Sequence, residues 1–260
     1  MSQLTALYVP GDRPDRFDKA AASGADIVIL DLEDAVPERS KADALANVVT
    51  WLASPRVDVA VQVRVNVRAA QEIRAIRDTD AAVGLRIPKV EDPRKLDAIA
   101  VLAEGLPLTA LIESARGIEA AADIAAHPAV REVALGEADL ASDLGGTDPL
   151  VRDHLRIRLL IAARAAGLPA PMLSAYPAIQ DLEGLRADTE RGRALGLRGR
   201  VAVHPKQIPV IRAVFAPNEA ERAWARAVIG ALQQGGVATL PDGQMVDPAM
   251  LGRARTLLES

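Results

Sequence analysis

Short apolar runs of strand type alternate with stretches of helical spacing along most of the chain, and this repeat restricts the fold more than any other feature. Thr5-Ala6-Leu7-Tyr8-Val9 reads as a strand stopped by Pro10-Gly11, and Arg13 to Ser23 follows as a helix with Pro14 in its first turn. Asp26 to Asp31 is a second strand, apolar on both faces as buried parallel strands are. Val57 to Val65, Val83 to Ile87 and Leu108 to Ile112 supply three more, with helices over Ser40 to Leu52, Ala69 to Asp78 and Pro93 to Ala103. Val133 to Leu135 is the core of a sixth strand, and a helix runs from Pro149 to about Ala166. Met172-Leu173-Ser174-Ala175 reads as a weak seventh strand and Gly199 to Val203 as an eighth.

Eight strands alternating with helices within about 215 residues is the count and length of an α/β protein of the (β/α)8 TIM-barrel class. A doubly wound open sheet competes on periodicity alone. Position favours the barrel. Glu33-Asp34, Arg64, Lys89, Glu113, Asp139 and His204 each follow the carboxyl end of a different strand, and a barrel gathers those ends at one mouth. Beyond the repeat, Asn218 to Leu232 reads as a helix broken by Gln234-Gly235-Gly236. Thr239 to Val246 reads as a hairpin around Pro241-Asp242-Gly243, and Pro248 to Leu258 as a last helix. The expected organisation is a catalytic barrel over residues 1–216 and a small helical and hairpin extension over 217–260.

Composition removes whole classes of function. Half of the 260 residues are apolar and 25% are charged, enough for a large buried core. With a net charge of -4, scattered Lys and Arg and 2% aromatic residues, no nucleic-acid stripe is visible. Cysteine is absent, which excludes disulfides, thiolate nucleophiles and Cys-bound metals. The first residues turn charged and proline-bearing too early for a signal peptide, and no apolar run approaches membrane-spanning length, so a cytoplasmic protein is expected.

Two stretches concentrate the chemistry: Leu111-Ile112-Glu113-Ser114-Ala115-Arg116-Gly117 and Leu135-Gly136-Glu137-Ala138-Asp139-Leu140. In both, a strand-type run ends in acid and a helix begins. If neighbouring strands carry them, Glu113 and Asp139 face one crevice, where two carboxylates repel unless a cation lies between them. Hard oxygen donors, few in number, suit Mg²⁺ (or Mn²⁺) better than zinc. Taken singly, each acid also suits a helix N-cap or first-turn charge.

Together with Tyr8-Val9-Pro10-Gly11, Lys19-Ala20, Asp31-Leu32-Glu33-Asp34-Ala35-Val36, Arg64-Val65-Asn66, His204-Pro205-Lys206-Gln207-Ile208 and Gly243-Gln244-Met245-Val246-Asp247, these motifs occur in an order that closely resembles the CitE-like, citrate lyase β-subunit-like branch of the HpcH/HpaI aldolase superfamily. The resemblance covers nearly the whole chain. It implies a TIM barrel, a homotrimer or multiple of trimers, and Mg²⁺-dependent cleavage or joining of a carbon–carbon bond in short acyl-CoA thioesters.

By that resemblance Glu113 and Asp139 bind the metal, and Arg64 faces the developing enolate oxygen. A strand-end arginine also pairs readily with acids. Glu33 and Asp34 are expected to hold Arg64 and metal-bound water, with helix capping an equal alternative for Asp34. Asp247 matches the aspartate that, in related enzymes, enters a neighbouring subunit's site and exchanges the proton, although a plain N-cap accounts for it locally. For coenzyme A, the candidates are Tyr8, Pro10 and Gly11 with Arg13 and Lys19, where a helix N-terminus adjoins the loop, and His204 with Lys206. Lys89 is expected to act electrostatically. The implied activity is cleavage of a citramalyl-, malyl- or methylglutaryl-type thioester. Alternatives are a citrate lyase β-subunit working with an acyl carrier partner, synthase or thioesterase activity, and a non-catalytic member.

Overall fold

The computed structural model of the chain describes residues 3–54, 59–67, 69–233 and 235–259. The chain divides into two compact units, one spanning Leu4–Val214 and the other built mainly from Phe215 onward. In the first, seven strands form one parallel sheet: β1 (Thr5–Pro10), β2 (Ile27–Asp31), β3 (Ala60–Arg64), β4 (Val83–Ile87), β5 (Leu108–Ile112), β6 (Val130–Leu135) and β7 (Arg200–Ala202), in the spatial order β6-β5-β4-β3-β2-β1-β7. The expected start of the third strand at Val57 lies outside the described residues. Helices return the chain between them: α1 (Phe17–Ala21), α2 (Lys41–Leu52), α3 (Ala70–Arg77), α4 (Arg94–Ala103), α5 (Ala115–Glu119), α6 (Ala121–Ala125), α7 (Glu137–Leu144), α8 (Pro149–Ala165), α9 (Leu182–Leu195) and α10 (Ile208–Phe215). β2 and β5 are buried along their whole length, as strands covered on both faces must be.

The stretch Met172 to Ala175 closes the curl without becoming a full strand. Leu173 makes a single parallel bridge to Arg200, donating to the Gly199 carbonyl at 3.1 Å and accepting from Val201 at 3.0 Å. On its other side the Ser174 hydroxyl donates to the Leu135 carbonyl at the end of β6. Pro169, Pro171 and Pro177 bracket this stretch, and each removes a donor a longer ladder needs. Gly192 lets α9 settle on it, since a Cβ there would lie 2.4 Å from both Leu173 methyl carbons. The architecture is the TIM-barrel type, with its seventh strand position reduced to one bridge.

Parallel pairing places a row of polar residues across five neighbouring strands: Asp31 opposite Arg64, Arg64 opposite Arg86, Arg86 opposite Thr109, and Thr109 opposite Glu132. A cluster of Ala6, Ile27, Ile29, Met172 and Val201, packed against by Tyr8 and Ala175, supplies apolar filling.

In the second unit, α11 (Glu219–Ala231) starts with a reciprocal cap, Asn218 Oδ1 accepting from the Glu221 amide at 2.8 Å and Glu221 Oε2 from the Asn218 amide at 2.9 Å. Gln234, expected to help end this helix, lies outside the described residues. β8 (Ala238–Thr239) and β9 (Met245–Val246) pair antiparallel around a turn whose Gly243 has φ 88°, a conformation that favours glycine. A short turn over Pro248–Met250 leads into α12 (Leu251–Glu259). Ala225, Val228, Leu232, Leu240, Val246 and Ala254 form this unit's core. Among the described residues, no helix is long and apolar enough to cross a membrane.

Candidate active site

Asp31, the last residue of β2, is 1% exposed and sits opposite Arg64 in register. Its two oxygens accept from Arg64 Nε at 2.7 Å and Nη2 at 2.6 Å, the bidentate geometry that fixes a guanidinium plane. The same carboxylate accepts from the Glu33 amide at 2.9 Å. Lys41 Nζ donates to the carbonyls of Leu32 and Glu33 at 2.7 and 2.6 Å, and Asn66 to that of Leu32 at 2.8 Å, so the loop after β2 is pinned from two sides. Burial works against the charge of Arg64, but the Asp31 hydrogen bonds and surrounding charges outweigh it and raise its pKa. The guanidinium stays charged at every accessible pH.

Glu33 is buried, with Oε2 3.1 Å from Arg64 Nη1 and Oε1 3.2 Å from Lys89 Nζ, yet neither oxygen accepts an aligned hydrogen bond. Burial pushes its carboxyl up, against the pull of Arg64. Asp34 is exposed and stands 3.8 Å from Arg64 and 3.9 Å from Lys89, close enough to add charge but not to hold either group.

Lys89 follows β4 with φ 53°, the left-handed region that a residue with a Cβ enters at a cost. That conformation aims its main-chain N–H at Glu113, whose Oε1 accepts at 2.6 Å. Glu113 follows β5 and is 4% exposed. Its side chain lies over the Cα of Gly136, where a Cβ would stand 2.4 Å from Glu113 Cβ and 2.6 Å from Oε2. Asp139, half-buried, occupies the first turn of α7, where the helix dipole favours a carboxylate. Burial pushes the Glu113 carboxyl up to about 7; Glu33 and Asp139 push the same way, against the Lys89 amide.

Glu113 and Asp139 line a cavity of about 130 Å³ together with Tyr8, Arg64, Arg86 and Gly136. They also line a wider cleft of about 620 Å³ that runs over Lys89, Lys95, Ser114 and Arg116. The two acids therefore sit where a narrow chamber meets a broad one. Neither is ion-paired with a side chain among the described residues, nor do those residues include a cluster of three or more His, Cys, Asp or Glu able to hold a metal. Two hard oxygen donors without an ion-pair partner among the described residues, one of them pushed toward neutrality chiefly by its burial, fit Mg²⁺, which keeps waters and needs few protein ligands.

The remaining candidates are spread more widely. Tyr8 turns its ring inward, 5.0 Å from the Arg64 guanidinium. Pro10 ends β1, and Gly11 is required by packing: a Cβ would stand 2.9 Å from Leu32 Cδ2, and its amide already donates to the Asp31 carbonyl at 2.8 Å. Arg13 is exposed and paired with Asp15 at 2.9 Å, and Lys19 is exposed on α1. His204 Nδ1 accepts from the Lys206 amide at 3.1 Å as the cap of the turn Pro205–Gln207, leaving the Lys206 side chain exposed. Asp247 caps Pro248–Met250 in the second unit, Oδ1 accepting from the Ala249 amide at 2.9 Å.

Sequence reasoning left several residues without a role. Arg156 of α8 is fully buried and grips Glu137, the first residue of α7, at 2.7 and 3.0 Å, while also holding Asp188 at 3.1 and 2.8 Å. Asp188 in turn pairs with the buried Arg200 of β7. This network ties the turn bearing Asp139 to three other elements, α8, α9 and β7. Its only sequence signal was Glu137 inside an otherwise assigned motif. Asp31 stood at the head of a quoted motif but was given no role, and Arg86 was visible only as a strand residue.

These features define an acid-lined, barrel-mouth site of the aldolase kind, and the chain belongs to the HpcH/HpaI aldolase/citrate lyase family, whose sequence model matches residues 4–205. It is 38% identical to a (3S)-malyl-CoA thioesterase from Cereibacter sphaeroides, over 98% of this chain and 93% of that one. With an L-malyl-CoA/beta-methylmalyl-CoA lyase from Rhodobacter capsulatus the identity is 30%, over 97% and 92%. Among solved structures, CitE from Mycobacterium tuberculosis in complex with magnesium, acetoacetate and coenzyme A superposes with a TM-score of 0.86 at 34% identity, covering 99% of this chain and 97% of that one.

Proposed function

We propose that this chain is a Mg²⁺-dependent carbon–carbon lyase. It cleaves a short 3-hydroxyacyl-CoA thioester of citramalyl, malyl or methylglutaryl type to acetyl-CoA or propionyl-CoA and a 2-oxo acid or related carbonyl product. The observation that carries this reading is the shared cavity: two unpaired carboxylates, Glu113 and Asp139, open onto the same space as the fixed guanidinium of Arg64. The relatives named as malyl-CoA enzymes and the CitE complex with magnesium and coenzyme A support the substrate class and the metal.

Glu113 and Asp139 would hold the Mg²⁺, which supplies Lewis-acid polarisation of the hydroxyl and carboxylate oxygens of the acyl group. Asp247, as general base, takes the hydroxyl proton. The C2–C3 bond then breaks, C3 becomes the carbonyl of the departing product, and the bonding pair moves onto the thioester as an enolate. Arg64, held by Asp31, faces the enolate oxygen with a charge that needs no reorganisation. The proton then returns from Asp247 to C2, so the cycle is proton-neutral. Glu33, with Lys89 and Asp34, maintains the charge balance around Arg64.

For the coenzyme arm, Lys19 and Lys206, with Arg13 and His204, follow the carboxyl ends of the neighbouring strands β1 and β7 and are the candidates for its phosphates; none of the four lines the wide cleft. Asp247 Oδ2 has no hydrogen-bond partner among the described residues, which suits a proton carrier. We assign residues 1–216 to the catalytic barrel and 217–260 to an extension that serves a neighbouring subunit in a homotrimer or a multiple of one. The working compartment is the cytoplasm.

A second reading has specific support, because one of the relatives is named a thioesterase. There, water attacks the thioester carbonyl and frees CoA and the 3-hydroxy acid. Incubating the protein with a panel of 3-hydroxyacyl-CoA thioesters, with Mg²⁺ or with EDTA, separates the two by mass spectrometry. Metal-dependent acetyl-CoA or propionyl-CoA is the lyase outcome and free CoA with intact hydroxy acid the thioesterase outcome. Survival of every thioester would overturn both and turn attention to an acyl carrier partner.

A further inference from the structure

The first turn of α7 carries Asp139, one of the two carboxylates assigned to Mg²⁺, yet the helix has no side-chain cap to fix that turn. Its N-cap is Gly136, which offers the free amides nothing. The hold comes from another helix. Arg156 of α8 grips Glu137, the first residue of α7, with Nε donating to Oε1 at 2.7 Å and Nη2 to Oε2 at 3.0 Å. Such two-point pairing fixes direction as well as distance.

Arg156 is itself immobilised. Its side chain has no solvent exposure, and Nη1 and Nη2 also reach Asp188 of α9 at 3.1 and 2.8 Å. Asp188 is held from two further sides, by Arg152 at 3.0 Å and by Arg200 of β7. Arg200 in turn donates to the Thr189 hydroxyl at 2.9 Å. The guanidinium is therefore a post braced on α8, α9 and β7, and Glu137 ties α7 to it. Residues two apart on a helix lie about 200° apart around its axis, so holding Glu137 sets the rotation at which Asp139 is presented. The contact of Glu113 with the Cα of Gly136, one residue earlier, leaves that turn little slack.

We propose that Arg156 is a positioning residue for the metal site. Acting through Glu137, it sets where Asp139 stands relative to Glu113. It also occupies both oxygens of Glu137, which lines the small chamber beside Asp139, and so keeps a third carboxylate from competing for the ion. The proposal rests on the reading of Glu113 and Asp139 as the Mg²⁺ ligands.

The test is calorimetric titration of the full chain with Mg²⁺, beside a thermal melt of each variant in EDTA. Arg156→Met and Glu137→Ala should each bind Mg²⁺ roughly 10- to 100-fold more weakly, and the double variant no more weakly than either, since the pair acts as one unit. Arg156→Lys, with a single ammonium in place of the fork, should recover part of the loss. Thr189→Val disturbs the same network on the side away from α7. It should lower the melting temperature and leave Mg²⁺ affinity unchanged, which separates positioning from stability. Wild-type affinity in Glu137→Ala, additive losses in the double variant, tighter binding in Arg156→Met, or an equal loss in Thr189→Val would overturn the proposal. Should Arg156→Met fail to fold, Glu137→Ala decides, because it leaves Arg156 paired with Asp188. If Asp139→Asn loses Mg²⁺ while Glu137→Ala keeps it, the metal reading stands and the positioning role falls. If Asp139→Asn binds Mg²⁺ like the wild type, the metal reading falls and takes the positioning role with it.

Discussion

The main-chain N–H of Lys89 donates to Glu113 Oε1 at 2.6 Å from a left-handed backbone, φ 53°. A side chain in that region costs about 1 kcal/mol, and glycine enters it freely. Lys89→Gly should therefore be more stable than Lys89→Ala by about 1 kcal/mol in urea denaturation, since both lose the same contact to Glu33. The reverse order would mean that this turn is not strained.

Gly136 is a glycine for room, its φ being negative. A methyl there must displace the Glu113 carboxylate, which stands where the Cβ would be. Gly136→Ala should fold and yet lose roughly 10- to 100-fold in Mg²⁺ affinity by calorimetry, the range seen when supports of metal ligands are disturbed. Unchanged affinity would show that the Glu113 position is unimportant to the metal.

Glu113 gives the metal-free protein a pH signature. Its carboxyl rises from an ordinary 4.5 to about 7 in the folded chain, through burial first and then the charges of Glu33 and Asp139. A raised acid binds its proton more tightly when folded. The stability it contributes is complete below about pH 4.5 and is lost as pH climbs through about 7, a change of about 3 kcal/mol. Urea midpoints in EDTA should fall across that window more in the wild type than in Glu113→Gln. Added Mg²⁺, which favours the ionised form, should remove the difference. Parallel pH profiles for the two proteins would contradict the burial argument.

How much of this was legible beforehand follows from the kind of signal each residue left. Runs such as Leu108 to Ile112 became strands because apolar residues on both faces leave a buried parallel strand as the stable solution. The seventh strand faded because prolines around Met172 to Ala175 outweigh its apolar character. The two acids stood out because each ends a strand and begins a helix. Asp31 did not, since only the register of β2 against β3 shows that its charge meets Arg64. Arg86, Arg156 and Arg200 were unreadable for the same reason: a buried arginine is recognised by its partners, or their absence, and those come from distant parts of the chain.

The proton carrier proposed in the second unit makes a prediction of its own. Chains carrying Asp247→Ala and chains carrying Arg64→Ala should each be inactive, and mixing them under conditions of subunit exchange should restore a fraction of the activity. Absence of rescue in mixed oligomers would place the proton exchange within one chain.

The most direct test of the central claim is the Mg²⁺ dependence of thioester cleavage, followed as acetyl-CoA or propionyl-CoA release in the wild type beside Glu113→Gln and Asp139→Asn. The account predicts saturable activation by Mg²⁺ in the wild type and a loss of orders of magnitude in either variant, with the fold kept because both residues sit at the open mouth and not in the packed barrel. Wild-type cleavage by either variant at the same Mg²⁺ concentration would contradict it.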